Sequence, residues 1–306
     1  MSLSGTKIAW IGAGKMGGPM SRRLVGAGAE LSVFDPVPAN VDAVVAAGAR
    51  AAISNQAAVG GAEIVVSMIP NDAVLRAITI GDDGIFSSLA PGAIYVDMST
   101  VSPEISGEVA AAASDAGIAY LRAPVSGSTT LAEAGKLTIM VSGDKDAADR
   151  CADMFAAMGA QQFYLGAYDQ ARYLKLVINL LVGTTGAVLS EALSLGRKGG
   201  LDWEQMLDVI GVSAVASPYI QYNLEPLKAR VNSARFLPVV TQSVTLDPAG
   251  AVDAGFLDRL VPEGEAIDAA VELAAELAKL PARAYAGNKL GPRQQSLQIM
   301  AASLGL

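Results

Sequence analysis

The stretch that decides the fold is KIAWIGAGKMG, residues 7–17. Apolar residues 7–12 predict a strand that stops at glycine, and residues 16–26 predict the helix that follows. In such a turn the first glycine permits the sharp bend, the second lets backbone approach a pyrophosphate, and the third lets the helix pack on the strand. The residues that we expect to bind a dinucleotide here are Gly12, Ala13, Gly14, Lys15, Met16 and Gly17.

Asp35 ends the next apolar run, 31–34, about twenty residues beyond the glycines, where a carboxylate accepts hydrogen bonds from the adenosine ribose hydroxyls. The same charge repels a 2′-phosphate, and Pro36, Val37 and Pro38, which follow, include no arginine. The sequence therefore favours NAD over NADP. The alternative is that Asp35 is a turn residue before proline.

Further apolar runs at 64–69, 94–98, 119–121 and 137–141 alternate with Ala-rich segments of helical length. This alternation predicts an α/β fold of the Rossmann type, with a doubly wound, mainly parallel sheet covered on both faces. Beyond residue 166 the apolar spacing is helical, and the proline-free segment 171–196 predicts one long helix. We expect a dinucleotide-binding domain over 1–165, followed by an all-helical substrate and oligomerisation domain over 166–306.

Composition narrows the class of partner. The chain has 306 residues, of which 52% are hydrophobic, and a net charge of -8. That charge disfavours nucleic acid and anionic membranes as partners. One cysteine, Cys151, excludes an internal disulfide framework and fits a reducing cytosol, and residues 1–5 have no signal-peptide core, so we expect a cytoplasmic protein.

The segment 173–195 is the nearest approach to a membrane span, but it contains Lys175, Asn179 and Glu191. A charge at mid-membrane is costly, so we interpret this segment as a buried helix of a soluble protein. The chain has no histidine, which removes the usual proton carrier at neutral pH and the commonest metal ligand. We therefore expect no metal site, and proton transfer must use Lys, Tyr, Asp, Glu or Cys.

Four separated motifs together resemble the β-hydroxyacid dehydrogenase family, which holds 3-hydroxyisobutyrate dehydrogenase, tartronate semialdehyde reductase and succinic semialdehyde reductase. In their order along roughly residues 5–230 the motifs are 12–17; DMST at 97–100 with Pro103; APVSG at 123–127 running on to 132–135 and 137–141; and Lys175 with Asn179.

The resemblance implies that Lys175 is the catalytic acid and base, donating a proton to the carbonyl oxygen in reduction and withdrawing it in oxidation. Burial lowers a lysine pKa towards the working pH, and one lysine in the apolar run 174–181 is conspicuous in a chain without histidine. Asn179 lies four residues on, hence on the same helical face, and would orient the substrate. The alternative is a lysine that extends from the helix edge into solvent.

The family also implies that Ser126 and Gly127 hold the substrate carboxylate through hydroxyl and backbone N–H donors. The alternative there is an ordinary turn. By the same resemblance Thr100 lies near the nicotinamide ribose, and Met68 and Pro70 form the wall that faces the cofactor. The alternative for Thr100 is a helix cap before Pro103.

The chain departs from the family pattern at Arg122, where aspartate is common, and at Ser128 and Leu131, where glycines are usual. The C-terminal part lacks the expected Lys-Asp pair, and residues 236–306 instead resemble the C-terminal segment of enoyl-CoA hydratase-like proteins. We assign that tail a structural, oligomer-forming role without hydratase activity.

The leading hypothesis is an NAD-dependent oxidoreductase of the dehydrogenase type that reversibly oxidises a small 3-hydroxy acid, of the 3-hydroxyisobutyrate or semialdehyde-reductase kind. We expect a homodimer or homotetramer. One alternative is imine reduction, against which Lys175 argues because those enzymes usually carry Asp or Tyr there. The other is a non-catalytic NAD-binding or assembly module, prompted by the tail.

Overall fold

The computed structural model of the chain describes residues 3–81 and 84–229, all of which belong to one compact unit, Met1–Val244. The strands are β1 Lys7–Ile11, β2 Glu30–Phe34, β3 Arg50–Ala51, β4 Ile64–Ser67, β5 Ile94–Asp97, β6 Ala119–Arg122, β7 Val125–Ser126, β8 Thr138–Gly143 and β9 Gln161–Tyr164. The helices are α1 Gly17–Gly26, α2 Pro38–Ala46, α3 Asn55–Val59, α4 Asp72–Thr79, α5 Pro103–Asp115, α6 Thr129–Glu133, α7 Lys145–Arg150, α8 Ala152–Met158, α9 Gln170–Lys198, α10 Trp203–Val212 and α11 Pro218–Lys228, with a 3₁₀ turn at Ile85–Ser88.

The strands form one sheet in the order β3-β2-β1-β4-β5-β6-β8-β7, with β9 beside β8. Strands β1 to β6 are parallel, whereas β8 runs antiparallel to β6 and β7. The strand order reverses between β1 and β4. In open α/β sheets a ligand cleft lies at such a reversal, outside the carboxyl ends of the strands.

Helices cover both faces of the sheet. Because side chains alternate along a strand, Trp10 packs with Met20 and Leu24 of α1 on one face, while Ile11 packs with Leu75 and Ile105 on the other. The prediction of a Rossmann-type sheet followed by a helical C-terminal part is confirmed.

The long helix predicted over 171–196 is α9, and α10 and α11 pack on its second half through a separate apolar cluster. Its predicted burial is wrong for the described residues. Leu176, Leu180 and Leu181 are exposed, and the buried residues of α9 are Ala171, Arg172, Gly186, Leu189 and Leu193. Apolar composition predicts that a surface is covered but does not identify what covers it.

Within the described part of the chain, α9 alone is long and apolar enough to cross a membrane by length and composition. Its first turn, however, buries the charged side chain of Arg172 against the sheet, where that side chain is 1% exposed. A buried charge that is paired inside the protein anchors this end of the helix to the folded Rossmann sheet.

Candidate active site

The carboxyl ends of the central strands lie side by side in one register row. Ile11 of β1 aligns with Ser67 of β4, and Ser67 aligns with Asp97 of β5. The row continues through Arg122 of β6 to Ser142 of β8. The segments that leave this row carry Gly12, Met68, Pro70 and Thr100, so these predicted cofactor residues lie at one edge of the sheet.

The glycine turn has two glycines that packing requires and one that it does not. Gly12 has a φ of 91°, and a Cβ there would lie 2.3 Å from the Met68 carbonyl oxygen. A Cβ on Gly17 would lie 1.9 Å from the Gly12 carbonyl oxygen. A Cβ on Gly14 would meet nothing within 4 Å. The open space at Gly14 fits the position where a pyrophosphate would approach the backbone.

Helix α1 begins at Gly17, directly behind this turn. Met16, at its N-cap, makes no side-chain cap hydrogen bond, and the first turn contains no acidic residue. The first N–H groups of the helix therefore face the turn without a competing side-chain acceptor, which suits a phosphate. Ala13 is buried and Lys15 is exposed.

Asp35 holds the glycine turn against the end of β2. Its Oδ2 accepts a hydrogen bond from the Ala13 N–H at 2.8 Å, and its Oδ1 accepts from the Val37 N–H at 2.8 Å and from Asn40 Nδ2 at 3.0 Å. A carboxylate offers about four acceptor positions, so one remains for a ribose hydroxyl. The turn alternative for Asp35 is correct, and it leaves room for the cofactor role.

The Met68 and Thr100 segments are bonded to each other. The Ile69 N–H donates to Ser99 Oγ at 2.8 Å, and Ser99 Oγ donates to Asp97 Oδ1 at 2.6 Å. Thr100, next to Ser99, is half-buried. The helix-cap alternative for Thr100 is wrong, because the N-cap of α5 is Ser102.

Helix α9 starts against the same edge. The Ala171 N–H donates to Ser142 Oγ at 3.2 Å, and Arg172 Nη1 donates to the Ser99 carbonyl oxygen at 2.5 Å. Lys175 follows three residues later, about 4.5 Å along the helix axis. Its side chain is half-buried, and burial lowers the pKa of its amine from 10.5 to about 8. Asn179, on the next turn, is also half-buried.

Ser126 and Gly127 extend past this edge. Strand β7 continues the direction of β6 and pairs Ser126 with Thr138, four residues beyond Arg122, a reach of about 13 Å. Gly127 has a φ of 142°, and a Cβ there would lie 2.7 Å from Leu137. Ser128 caps α6. The loop therefore lies beyond the same edge of the sheet as the glycine turn.

Comparisons with known proteins match both parts of the chain to known families. Residues 7–166 match the family described as the NAD binding domain of 6-phosphogluconate dehydrogenase, and residues 170–240 match the one described as NAD-binding of NADP-dependent 3-hydroxyisobutyrate dehydrogenase. The chain is 40% identical over 204 residues to the NAD-dependent L-serine dehydrogenase of Pseudomonas aeruginosa, an alignment that covers 67% of this chain and 68% of that protein.

It is also 38% identical over 219 residues to the 2-(hydroxymethyl)glutarate dehydrogenase of Eubacterium barkeri, covering 72% of this chain and 73% of that one. A solved structure of Mycobacterium tuberculosis 3-hydroxyisobutyrate dehydrogenase with L-serine superposes with a TM-score of 0.68 at 28% identity, covering 83% of this chain and 92% of that one.

The chain belongs to the β-hydroxyacid dehydrogenase family. As a member it is an NAD(P)-binding dehydrogenase that acts on CH–OH groups. The family matches end at residue 240, so they do not support the resemblance of 236–306 to enoyl-CoA hydratase-like proteins. That tail lies outside the described residues, and its structural role stays a prediction.

Arg122, the departure from the usual β-hydroxyacid dehydrogenase pattern, has a charged partner here. Its Nε donates to Asp169 Oδ1 at 2.9 Å, and its guanidinium lies 4.3 Å from the centre of the Tyr120 ring. The ion pairs of Asp169 and Arg172 with the sheet were not predicted from the sequence. The available signal was a pair of charged residues at the start of an apolar helix.

Cys151, the single cysteine of this dehydrogenase, is buried, and burial raises the pKa of its thiol to about 12. A thiol that stays protonated is a poor nucleophile and a poor metal ligand. Over residues 3–81 and 84–229 there is no group of three or more Cys, Asp or Glu side chains arranged to hold a metal.

Proposed function

We propose that this β-hydroxyacid dehydrogenase reversibly oxidises the terminal hydroxyl of a small 3-hydroxy acid with NAD, using Lys175 as general acid and base. The observation that carries the proposal is Lys175, a half-buried residue whose amine has a pKa lowered to about 8, on a helix whose first turn is bonded to the Ser99 carbonyl beside Thr100. An amine that titrates near neutral pH can both take and give a proton.

The substrate class follows from the chemistry that the relatives' names share. L-Serine, 3-hydroxyisobutyrate and 2-(hydroxymethyl)glutarate each place a primary alcohol on the carbon next to the one that bears the carboxylate. Each of these molecules therefore has a carboxylate at a fixed short spacing from the reacting hydroxyl, and 2-(hydroxymethyl)glutarate carries a second carboxylate. We assign the carboxylate to the Ser126 hydroxyl and the Gly127 N–H, and we assign the reacting end to Lys175 and Asn179.

In the oxidative direction the neutral Lys175 amine withdraws the proton from the substrate hydroxyl oxygen. In the reductive direction its ammonium returns a proton to the carbonyl oxygen. NAD, when bound, supplies the redox chemistry by accepting or returning the hydride. Asn179, on the same face of α9, orients the substrate oxygen towards the Lys175 nitrogen.

NAD is the proposed cofactor because the Asp35 carboxylate stands at the end of β2 and repels a 2′-phosphate. The hydrogen bonds from Ala13, Val37 and Asn40 fix the position of that charge. We also propose a dinucleotide-binding domain over 1–165, a helical domain over 166–306, a homodimer or homotetramer, and a cytoplasmic location. The exposed apolar side chains of α9 support an oligomer.

The test follows the absorbance of the reduced cofactor at 340 nm. Each of those three hydroxy acids is offered with NAD and with NADP, and a cyclic imine is offered with the reduced cofactors. We expect hydroxy acid turnover with NAD preferred, and a loss of about 10²- to 10⁴-fold in Lys175→Ala with NADH binding retained. Lys145→Ala is the matched control, since Lys145 is exposed and paired with Asp149.

An undiminished rate in Lys175→Ala would remove the lysine from the mechanism. Turnover of the imine alone would favour imine reduction. NADH binding without any turnover would favour the non-catalytic module.

A further inference from the structure

Two ion pairs with opposite polarity join the start of α9 to the sheet. Arg172, on α9, pairs with Asp97 at the end of β5, and these side chains are 1% and 0% exposed. Asp169, just before α9, pairs with Arg122 at the end of β6. The helix start and the sheet each contribute one acid and one base, so the assembly of four charges is neutral.

Asp97 is held from three directions. Its Oδ1 accepts hydrogen bonds from Ser67 Oγ at 2.7 Å and from Ser99 Oγ at 2.6 Å, and its Oδ2 accepts from Arg172 Nη2. Because the Ser67 hydroxyl donates its hydrogen to Asp97, the Tyr95 hydroxyl, 2.7 Å from Ser67 Oγ, must be the donor to that oxygen. The carboxylate thereby connects β4, the Thr100 segment and α9.

The Arg172 guanidinium makes a matching set of contacts. Nη1 donates to the Ser99 carbonyl oxygen at 2.5 Å, and Nη2 donates to the Tyr120 hydroxyl at 3.0 Å as well as to Asp97. Its Nε has no hydrogen-bond partner among the described residues. Arg172 and Asp97 therefore both bind Ser99, the residue that precedes Thr100.

A buried ion pair of this kind adds little net stability to a fold. Burying an ion pair costs desolvation that the mutual attraction often fails to exceed, and the unsatisfied Nε of Arg172 adds to that cost. What such a pair does supply is a fixed geometry, because the planar guanidinium binds two acceptors in set directions. The unfavourable desolvation of this pair therefore indicates that Arg172 and Asp97 are needed at fixed positions.

We infer that the Arg172–Asp97 pair is a positioning device that sets the Lys175 amine relative to the Thr100 segment. The inference rests on the proposed role of Lys175. Arg172 and Lys175 are three residues apart on one helix, so the direction fixed at Arg172 is passed to Lys175 by the rigid backbone. Ser99 fixes the other side, because it is bound by both members of the pair.

The test uses two variants of the full chain. Arg172→Lys keeps the positive charge opposite Asp97 but cannot reach both Asp97 and the Ser99 carbonyl with a planar fork. The double variant Arg172→Met with Asp97→Asn removes both charges, so that no unpaired charge is left buried. Circular dichroism and thermal unfolding establish that each variant is folded.

Three quantities are measured for each variant: kcat, the Kd of NADH, and the pKa of Lys175 without cofactor, by ¹³C NMR after reductive methylation. We expect kcat to fall by about tenfold or more while the Kd of NADH changes by less than about threefold, because an error of position affects chemistry more than binding. The Lys175 pKa should rise from about 8 towards 10.5 as the amine gains access to water.

The control is the double variant Arg76→Met with Glu108→Gln, which removes an exposed ion pair between α4 and α5 and should change none of the three quantities. A folded Arg172 variant with wild-type kcat and an unchanged Lys175 pKa would overturn the inference. Failure of the proposed function looks different: Lys175→Ala would then be fully active, whereas the NMR titration would still report whether Arg172 positions the amine.

Discussion

At the level of single residues, the proposed chemistry depends on Lys175, whose amine the fold makes less basic. Lys175 loses hydration without gaining a counter-ion among the described residues, and desolvation is the one cause of its lowered pKa. Desolvation disfavours the charged form, so a useful pKa is obtained at the expense of stability. Removal of the Lys175 charge should therefore raise the free energy of unfolding.

We expect Lys175→Met to raise the free energy of unfolding by about 1–3 kcal/mol at pH 7 while lowering turnover by about 10²- to 10⁴-fold. Lys175 binds its proton less tightly in the folded state, so the unfolded state holds more protons between about pH 8 and pH 10.5. The free energy of unfolding of the wild type therefore rises with pH in this window, and its difference from that of Lys175→Met becomes smaller. Urea unfolding at pH 7 and pH 10 measures this difference in the free energy of unfolding, with Lys145→Met as the control. A variant less stable than wild type at pH 7 would contradict the expectation.

The glycine turn offers a matched pair of substitutions. Gly17→Ala should lower the melting temperature strongly, because its Cβ would lie 1.9 Å from the Gly12 carbonyl oxygen. Gly14→Ala should fold normally, since its Cβ meets nothing within 4 Å, but should bind NADH more weakly. Thermal melts and NADH fluorescence titrations separate the two effects. Normal NADH affinity in Gly14→Ala would exclude close approach of the cofactor there.

At the level of secondary structure, the apolar runs of the sequence located β1, β2, β4, β5 and β6 of the parallel part of the sheet, and also β8, because buried strands are continuous apolar segments. They missed β3 and β7, which have two residues each and carry no periodicity, and β9, which is exposed at the sheet edge. For α9 the sequence predicted the helix but not its exposure, because the pattern does not specify the partner of an apolar face.

The exposed face of α9 supports the proposed oligomer and gives a prediction for it. Leu180 is 70% exposed, and a contiguous apolar surface on a helix commonly lies in an interface. We expect Leu180→Asp to shift the protein to a smaller assembly in light scattering coupled to size-exclusion chromatography. Val212→Asp is the control, because Val212 is 89% exposed but lies at the end of α10. An unchanged molar mass would contradict this role for α9.

In the molecule as a whole, the segments that carry the candidate site residues leave one edge of the sheet. The sequence predicted many of these segments, because each carries a local motif and parallel strands bring their carboxyl ends together. It did not predict the pairing of Arg172 with Asp97 or of Asp169 with Arg122. Those partners are 75 and 47 residues apart in the chain, and tertiary packing alone brings them together.

The pH dependence of kcat/KM in both directions is the most direct test that Lys175 exchanges the proton. We expect hydroxy acid oxidation to rise and carbonyl reduction to fall through an apparent pKa of about 8, because oxidation needs the neutral amine and reduction needs the ammonium. Profiles that stay flat between about pH 7 and pH 9 in both directions, with turnover intact, would contradict it.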